Sequence, residues 1–340
     1  MTYRVVQWTT GKIASAAVRG ILDHPELELV GCYSWSPEKV GQDVGTLAGL
    51  DPIGLKSSGD VEELIALKPD CVSYIPYRPN FDHLERILES GINVVTPRYQ
   101  LGGWGNGEEA RARIIAACER GGSTLLASGI YPGHANHVAM TLSALCTRVD
   151  SISIQESLQL SEYANEKMFR TMGFDGEPGD QRVIDECEFT QESFKDMVKV
   201  MAHEMGLKLD EVRFEVIFST ANRDLDFGYM VIRKGKVAGI RGIVSGVVRG
   251  EKRLMFNFVW AMGEDMTPPI DIRHGYHIEI AGEPPIKANF GRVDASEDGK
   301  VDGGSLTVAM PCINAIPKVC KAAPGIMNAA GLPFITGAMR

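Results

Sequence analysis

The 340-residue sequence lacks several features that define common classes of protein. No apolar run approaches the roughly 18 residues that a membrane-spanning helix needs, and the first residues lack the charged and then apolar pattern of a secretory signal. An excess of basic residues is also missing, because the net charge is −9. We therefore expect neither a membrane nor a nucleic acid as the main partner.

Closely spaced cysteine pairs are absent as well. The seven cysteines are an odd number, and none of them forms a C-x-x-C motif. We interpret them as reduced core thiols and expect a cytoplasmic protein. With 44% hydrophobic and 23% charged residues, the composition predicts a globular protein with a sizeable core, in two domains or one large one.

The N-terminal stretch predicts a strand, a tight turn and a helix. Residues 3–8 are rich in β-branched and aromatic residues, and in residues 12–22 apolar residues recur on one helical face. Thr9, Thr10 and Gly11 lie between them. This arrangement is typical of a dinucleotide-binding site, in which backbone N–H groups at the start of a helix point at the pyrophosphate.

The turn matches the G-x-G-x-x-G fingerprint only in part. Thr9 replaces the first glycine, Gly11 is the second, and Ala14 replaces the third. Ala is accepted at the third position, whereas the first often needs the conformational freedom of Gly. The alternative is an ordinary βα turn of another α/β protein. We favour the dinucleotide-binding interpretation, because strand and helix signals alternate up to about residue 148.

This alternation predicts an α/β fold with an N-terminal Rossmann domain, a doubly wound parallel sheet, over residues 1–148. For residues 149–304 we predict a substrate and dimerisation domain of the α+β class with a mainly antiparallel sheet. Its expected elements are a helix near 191–205 and strands at 151–160, 212–218, 227–234, 236–249, 253–262 and 277–280. We expect residues 305–340, with a helix over 305–321, to pack back on the first domain.

Ligands of such sheets bind beyond the carboxyl ends of the strands, which selects the candidate cofactor-binding residues. The second strand ends without the Asp or Glu that usually binds the ribose of NAD. Ser34, Ser36 and Lys39 can donate to a 2′-phosphate instead, so we favour NADP(H) over NAD(H), while Glu38 remains an alternative ribose ligand. The full candidate set is Thr9, Thr10, Gly11, Lys12, Ile13, Ser34, Ser36, Lys39, Pro76, Tyr77 and Thr96.

Five segments, taken in order, resemble the dihydrodipicolinate reductase-like superfamily, in its branch of 2,4-diaminopentanoate dehydrogenases and native amine dehydrogenases. The resemblance covers nearly the full chain. It implies a Rossmann domain, a nicotinamide cofactor, an α+β substrate domain and a homodimer. The segments are residues 5–11, 33–41 and 129–133, Glu156 with Ser161, Tyr163 and 172–174, and residues 309–317.

The sequence departs from this family at the positions that bear on catalysis. It lacks the His-His, Lys and Pro-Ser-Gly motifs of true dihydrodipicolinate reductases. The amine dehydrogenases carry a catalytic Glu just after the strand that ends here at Thr96, where this chain has Tyr99 or Gln100. We take Tyr99 as the first candidate for the catalytic donor and His134 as the second. Gln100, Tyr131, Asn136 and Glu156 are candidates for the substrate pocket, and Glu156 has an edge or interface role as its alternative.

We therefore predict an NAD(P)H-dependent oxidoreductase that reduces a C=O or C=N bond of a small or medium organic substrate. Three alternatives remain open at this stage. They are reductive amination of the amine dehydrogenase type, a dihydrodipicolinate reductase-like activity, and a catalytically silent regulatory protein that binds NADPH. The pairs His134/His137 and His274/His277 have helical spacing, but we predict no metal site, because no further ligand lies nearby.

Overall fold

The computed structural model describes residues 2–161, 163–291, 303–328 and 331–338. These residues form two compact units, of which the first comprises Met1–His134 and Arg292–Arg340 and the second Ala135–Gly291. In chain order the elements are β1 (Tyr3–Trp8), α1 (Lys12–Asp23), β2 (Leu27–Tyr33), α2 (Val44–Leu47), α3 (Val61–Ala66), β3 (Cys71–Tyr74), α4 (Phe81–Glu89), β4 (Asn93–Thr96), a 3₁₀ turn (Tyr99–Leu101), α5 (Gly107–Gly121), β5 (Thr124–Ala127), α6 (His134–Ser143), β6 (Arg148–Gln159), α7 (Glu166–Thr171), α8 (Gln181–Thr190), α9 (Glu192–Glu204), β7 (Glu211–Ala221), β8 (Leu225–Asp226), β9 (Val231–Ile232), β10 (Val237–Val248), β11 (Glu251–Ala261), β12 (Met266–Thr267), β13 (Gly275–Glu283), β14 (Ile286–Phe290), α10 (Gly303–Ile313), α11 (Ile316–Val319) and β15 (Gly325–Met327).

The first unit contains a six-stranded sheet in the order β15-β5-β4-β3-β1-β2, in which every pair of neighbouring strands is parallel. Its four central strands are almost wholly buried, as expected of a parallel sheet with helices on both faces, whereas the edge strands β2 and β15 are partly buried. Side chains of α1 and α10 fill the core on one face, and side chains of α4 and α5 fill the core on the other. The Rossmann prediction is confirmed.

The C-terminal segment contributes to the core of this first unit. Ala309, Cys312 and Ile313 of α10 are buried against Ala17 and Ile21 of α1. Strand β15 then extends the sheet by pairing with β5. The helix predicted over 305–321 is divided into α10 and α11, because Pro317 lies at the start of α11.

The second unit contains a seven-stranded sheet in the order β12-β7-β10-β11-β6-β13-β14. Strands β11 and β6 pair in parallel, whereas the other neighbours pair antiparallel, so the mainly antiparallel prediction is confirmed. Helix α9 covers one face, where Phe194 stacks on Phe258 with ring centroids 5.8 Å apart. The opposite face, which includes Ile217 of β7, Arg241 of β10 and Val259 of β11, is named the open face below.

The structure differs from the predicted elements of the second unit in three places. Residues 227–234 do not form a continuous strand, because Gly228 adopts a φ of +79° and its N–H bonds Asp226, so a turn separates β8 from β9. Residues 163–190, for which no element was predicted, contain α7 and α8, whose N-caps are Asn165 and Asp180. Strands β12 and β14 were also missed.

Candidate functional site

The turn between β1 and α1 has an unusual backbone at Thr9. Thr9 adopts a φ of +80°, the left-handed conformation that the fingerprint assigns to a glycine. Its N–H donates to the carbonyl of Tyr33 (3.0 Å), and its hydroxyl donates to the carbonyl of Ile75 (2.8 Å). These two bonds fasten the turn to the ends of β2 and β3. The substitution of Gly by Thr therefore keeps the turn, with compensating hydrogen bonds.

Gly11 is the N-cap of α1, and the start of this helix carries no side chain that would compete with an anion for the N–H groups of the first turn. No side chain caps it, and its first turn contains no acidic residue. A Cβ added at Gly11 would meet no described atom within 4 Å, so packing in the protein does not require the glycine. The open space and the free N–H groups of the first turn, where Lys12 and Ile13 lie, fit an anionic phosphate group.

The loop after β2 brings Lys39 to this turn. Its Nζ lies 3.3 Å from the hydroxyl of Thr10. Ser34 and Ser36 are buried, and the hydroxyl of Ser34 has no hydrogen-bond partner among the described residues. The hydroxyl of Ser36 donates to the exposed carboxylate of Glu38, and this hydrogen bond lowers the pKa of Glu38. The loop therefore presents a cation, two hydroxyls and one carboxylate at the tip of β2.

The loops after β3 and β4 hold the next group of candidates. Tyr77 projects its ring into solvent, while its carbonyl accepts a hydrogen bond from Arg98; Pro76, which precedes it, is partly buried. Thr96 is fully buried, and its hydroxyl accepts from the N–H of Arg98. Tyr99 begins the 3₁₀ turn and is only 3% exposed, and Gln100 beside it is partly buried. Tyr99 is therefore a buried residue of the first unit.

Residues 129–133 after β5 form a closed loop. Gly129 and Gly133 form a β-bridge, and a Cβ on Gly133 would lie 2.3 Å from backbone atoms of Gly129. The N–H of His134 donates to the carbonyl of Gly129 (2.7 Å) and closes the loop, and α6 begins at His134. Partial burial lowers the pKa of His134, so its ring is neutral at pH 7. Tyr131 is partly buried within this loop.

Asn136 and Glu156 lie in the second unit, and both are buried. Glu156 is 8% exposed and lies in β6 on the face that α9 covers. Its two carboxylate oxygens accept hydrogen bonds from Trp260 (Nε1, 2.8 Å) and from the hydroxyl of Tyr276 (2.9 Å). Trp260 and Tyr276 belong to the strands on either side of β6, so Glu156 is an internal residue of the sheet and not an edge residue.

Of the predicted cofactor-binding residues, the structure brings together Thr9, Thr10, Gly11 and Lys39. The carbonyl of Ile75, which accepts the hydrogen bond from Thr9, was not predicted from the sequence. A backbone acceptor leaves no signal in the pattern of side chains. In the described ranges, no group of three or more His, Cys, Asp or Glu residues is arranged to hold a metal ion. No helix among the described residues has both the length and the apolar character needed to cross a membrane.

Comparison with known proteins assigns the family. Residues 135–340 match the family model described as 2,4-diaminopentanoate dehydrogenase C-terminal domain. The chain belongs to the 2,4-diaminopentanoate dehydrogenase family. It is 32% identical to an amine dehydrogenase of Streptomyces virginiae, over 97% of this chain and 96% of that protein. It is 25% identical to the 2,4-diaminopentanoate dehydrogenase of Acetoanaerobium sticklandii, over 75% and 70% of the two chains.

The fold of this family member also matches a solved structure, that of an amine dehydrogenase from Mycobacterium smegmatis. The TM-score is 0.79 at 21% identity, over 99% of this chain and 97% of that chain. Membership of this dehydrogenase family makes the chain an NAD(P)-dependent oxidoreductase with a nicotinamide cofactor. The predicted branch and enzyme class are therefore confirmed.

Proposed function

We propose that this oxidoreductase binds NADP(H) at the turn between β1 and α1 and reduces a C=O or C=N bond of a small or medium organic substrate. The observation that carries the proposal is the uncapped start of α1 next to Gly11, with Lys39 beside it. The pyrophosphate would lie against the N–H groups there, in the space that a side chain at position 11 would fill. Oxidation of NADPH by the purified protein with a panel of carbonyl compounds tests it.

The preference for NADP(H) is supported by the loop after β2. The unpartnered hydroxyl of Ser34 and the ammonium of Lys39 suit an additional phosphate on the ribose. Glu38 is the opposing group, because a carboxylate near the ribose favours NAD(H). One oxygen of this carboxylate accepts a hydrogen bond from Ser36, whereas the ammonium of Lys39 reaches Thr10 in the turn.

The chemistry divides between the cofactor and the chain. The nicotinamide supplies or accepts the hydride, and the protein positions the substrate and supplies a proton at the oxygen or nitrogen that receives the charge. Tyr99 is our first candidate for this donor and His134 the second. The phenol of Tyr99 can give its proton to the alkoxide that forms in carbonyl reduction. Partial burial lowers the pKa of His134 and so favours the neutral imidazole, which can only donate a hydrogen bond to the developing charge.

Reductive amination is the second candidate function. The amine dehydrogenase of Streptomyces virginiae, similar over nearly the whole chain, favours it. Against it stands the resemblance-based expectation of a Glu where this chain has Tyr99 and Gln100. A dihydrodipicolinate reductase-like activity and a catalytically silent regulator that binds NADPH are two further functions that remain open. A cytoplasmic location belongs to the same proposal, and the seven cysteines, all free thiols, support it.

The second unit would contribute substrate contacts and the surface of a homodimer. On the open face, Ile217 is 61% exposed and pairs across the sheet with Arg241, and Val259 follows on the next strand. Three buried polar atoms of this face have no hydrogen-bond partner among the described residues: Arg241 Nε, Ser219 Oγ and Ser245 Oγ. A second copy of the chain would cover the exposed apolar side chains and supply partners to such atoms.

A further inference from the structure

The loop after β2, which carries Lys39, is joined at Ser57 to a more distant part of the chain. The hydroxyl of Ser57 donates to the carbonyl of Lys39 (2.6 Å), although the two residues are 18 positions apart in the sequence. Ser57 is only 4% exposed, so water competes little for this hydrogen bond. A buried side chain thus fixes the backbone from which the ammonium of Lys39 reaches Thr10.

Backbone hydrogen bonds extend this junction on both sides. The N–H of Gly41 donates to the carbonyl of Ser57 (2.8 Å), which holds the loop just beyond Lys39. The N–H of Ser34 donates to the carbonyl of Ser58 (2.8 Å), which holds the loop where it leaves β2. Residues 57 and 58 therefore hold both Ser34 and Lys39, the two residues that we propose to bind the 2′-phosphate.

Such support matters for Lys39 because a lysine side chain alone does not fix the position of its ammonium. The side chain is flexible, and the ammonium is a point charge without the planar geometry that orients an arginine. Donors that are ordered before a ligand arrives bind it more tightly, since ordering them on binding costs conformational entropy. The hydroxyl of Ser57 reduces this cost by fixing the backbone of Lys39 and, with it, the base of the side chain.

We propose that Ser57 is a positioning residue that sets the selectivity of the site for NADP(H). Its hydroxyl is engaged with the carbonyl of Lys39, so it acts through Lys39 and not by contact with the cofactor. NAD(H) lacks the 2′-phosphate, and its affinity should therefore not depend on Ser57. This inference rests on the proposed function, since it assumes that Lys39 binds the 2′-phosphate.

Titration of the full chain with NADPH and with NADH, followed by cofactor fluorescence, tests this role. Ser57→Ala is expected to raise the dissociation constant for NADPH about fivefold, the usual size for one neutral hydrogen bond, and to leave that for NADH within about twofold. Ser57→Thr retains the hydroxyl and should keep most of the wild-type selectivity. Ser123→Ala is the matched control, because the hydroxyl of Ser123 is also buried and also donates to a backbone carbonyl, that of Leu88 (2.8 Å). This control should leave both dissociation constants unchanged.

A double-mutant cycle with Lys39→Ala separates positioning from a merely structural role. If Ser57 acts through Lys39, the addition of Ser57→Ala to Lys39→Ala should weaken NADPH binding by no more than about twofold further. If Ser57 only stabilises the fold, Ser57→Ala would weaken the binding of both cofactors alike, and its effect would add to that of Lys39→Ala. This second pattern would overturn the inference.

The remaining outcomes separate this inference from the proposed function. If Lys39→Ala weakens NADPH binding but Ser57→Ala does not, Ser57 is not a positioning residue, and the proposed NADP(H) site stands. A loss of NADPH affinity in Ser123→Ala equal to that in Ser57→Ala would also reject the inference, because the effect would not be specific to Ser57. If the wild type binds NADH as tightly as NADPH, the proposed preference for NADP(H) fails, and the role of Ser57 fails with it.

Discussion

Lys39 Nζ lies 3.3 Å from the hydroxyl of Thr10, so the loop after β2 reaches the turn between β1 and α1. This contact joins the two segments from which we derive the cofactor site. It places a positive charge beside the helix start, where the pyrophosphate of a dinucleotide would lie, and within the loop that would carry a ribose 2′-phosphate. The two functions of this charge can be separated by experiment.

Replacement of Lys39 by alanine should change the choice of cofactor. We expect Lys39→Ala to raise the dissociation constant for NADPH about tenfold, the usual size for a lost hydrogen bond to a charged group, and to leave that for NADH within about twofold. Titration of cofactor fluorescence measures both constants. Lys56→Ala, on an exposed lysine of the same unit, is the control. Equal weakening of both cofactors would assign Lys39 to the pyrophosphate, and tighter binding of NADH by the wild type would point to Glu38.

Gly11→Ala separates folding from binding. The added methyl group meets no described atom within 4 Å, and Gly11 has a φ of −81°, which any residue adopts. The melting temperature of the free protein should therefore stay close to that of the wild type. Affinity for the cofactor should fall about tenfold or more, because the methyl group would occupy the space of the phosphates. Gly179→Ala, also with open space around the added carbon, is the matched control and should change neither property. Unchanged cofactor affinity in Gly11→Ala would contradict the assigned site.

The parallel sheet, the mixed second sheet and the turn at Gly11 could all be predicted from the sequence, because each has a periodic or compositional signal. The left-handed backbone conformation of Thr9 could not be predicted from its residue type alone. A β-branched residue disfavours a φ of +80°, and the conformation persists because distant groups, the carbonyls of Ile75 and Tyr33, bond to it. The short helices before residue 191 were missed because their caps, Asn165 and Asp180, stand in a polar stretch without clear periodicity. The burial of Tyr99 was equally hidden, since a residue after a strand has no local signal for its direction.

An aspartate at position 217 should disrupt the proposed homodimer. Ile217 stands exposed on the open face, and a carboxylate there would lose its hydration in the dimer, a cost that Arg241 on the neighbouring strand would offset only in part. We expect Ile217→Asp to weaken association about tenfold or more, as measured by sedimentation over a range of concentrations. Leu145→Asp, at another exposed apolar residue of the same unit, is the control. A monomeric wild type at micromolar concentration would rule out the dimer altogether.

Removal of the Tyr99 hydroxyl tests the assignment of the proton donor. Tyr99→Phe should lower kcat for a carbonyl substrate roughly a hundredfold, the usual contribution of a general acid, while cofactor affinity stays unchanged. Tyr229→Phe removes the hydroxyl of a partly buried tyrosine, which donates to the carbonyl of Ser161 (2.9 Å), and serves as the control for lost hydrogen bonding. A kcat within about twofold of wild type would show that Tyr99 only lines the site, and His134 would remain as the candidate donor.

The most direct test of carbonyl reduction is the rate of NADPH oxidation with ketones and aldehydes, measured with and without ammonia. We predict turnover of at least one carbonyl compound in the absence of ammonia, at a rate above that of reductive amination. The reason is that Tyr99 or Gln100, neither of which has a carboxylate, stands where the amine-forming relatives are expected to carry a Glu. Turnover that occurs only when ammonia is present would contradict carbonyl reduction and assign the protein to reductive amination.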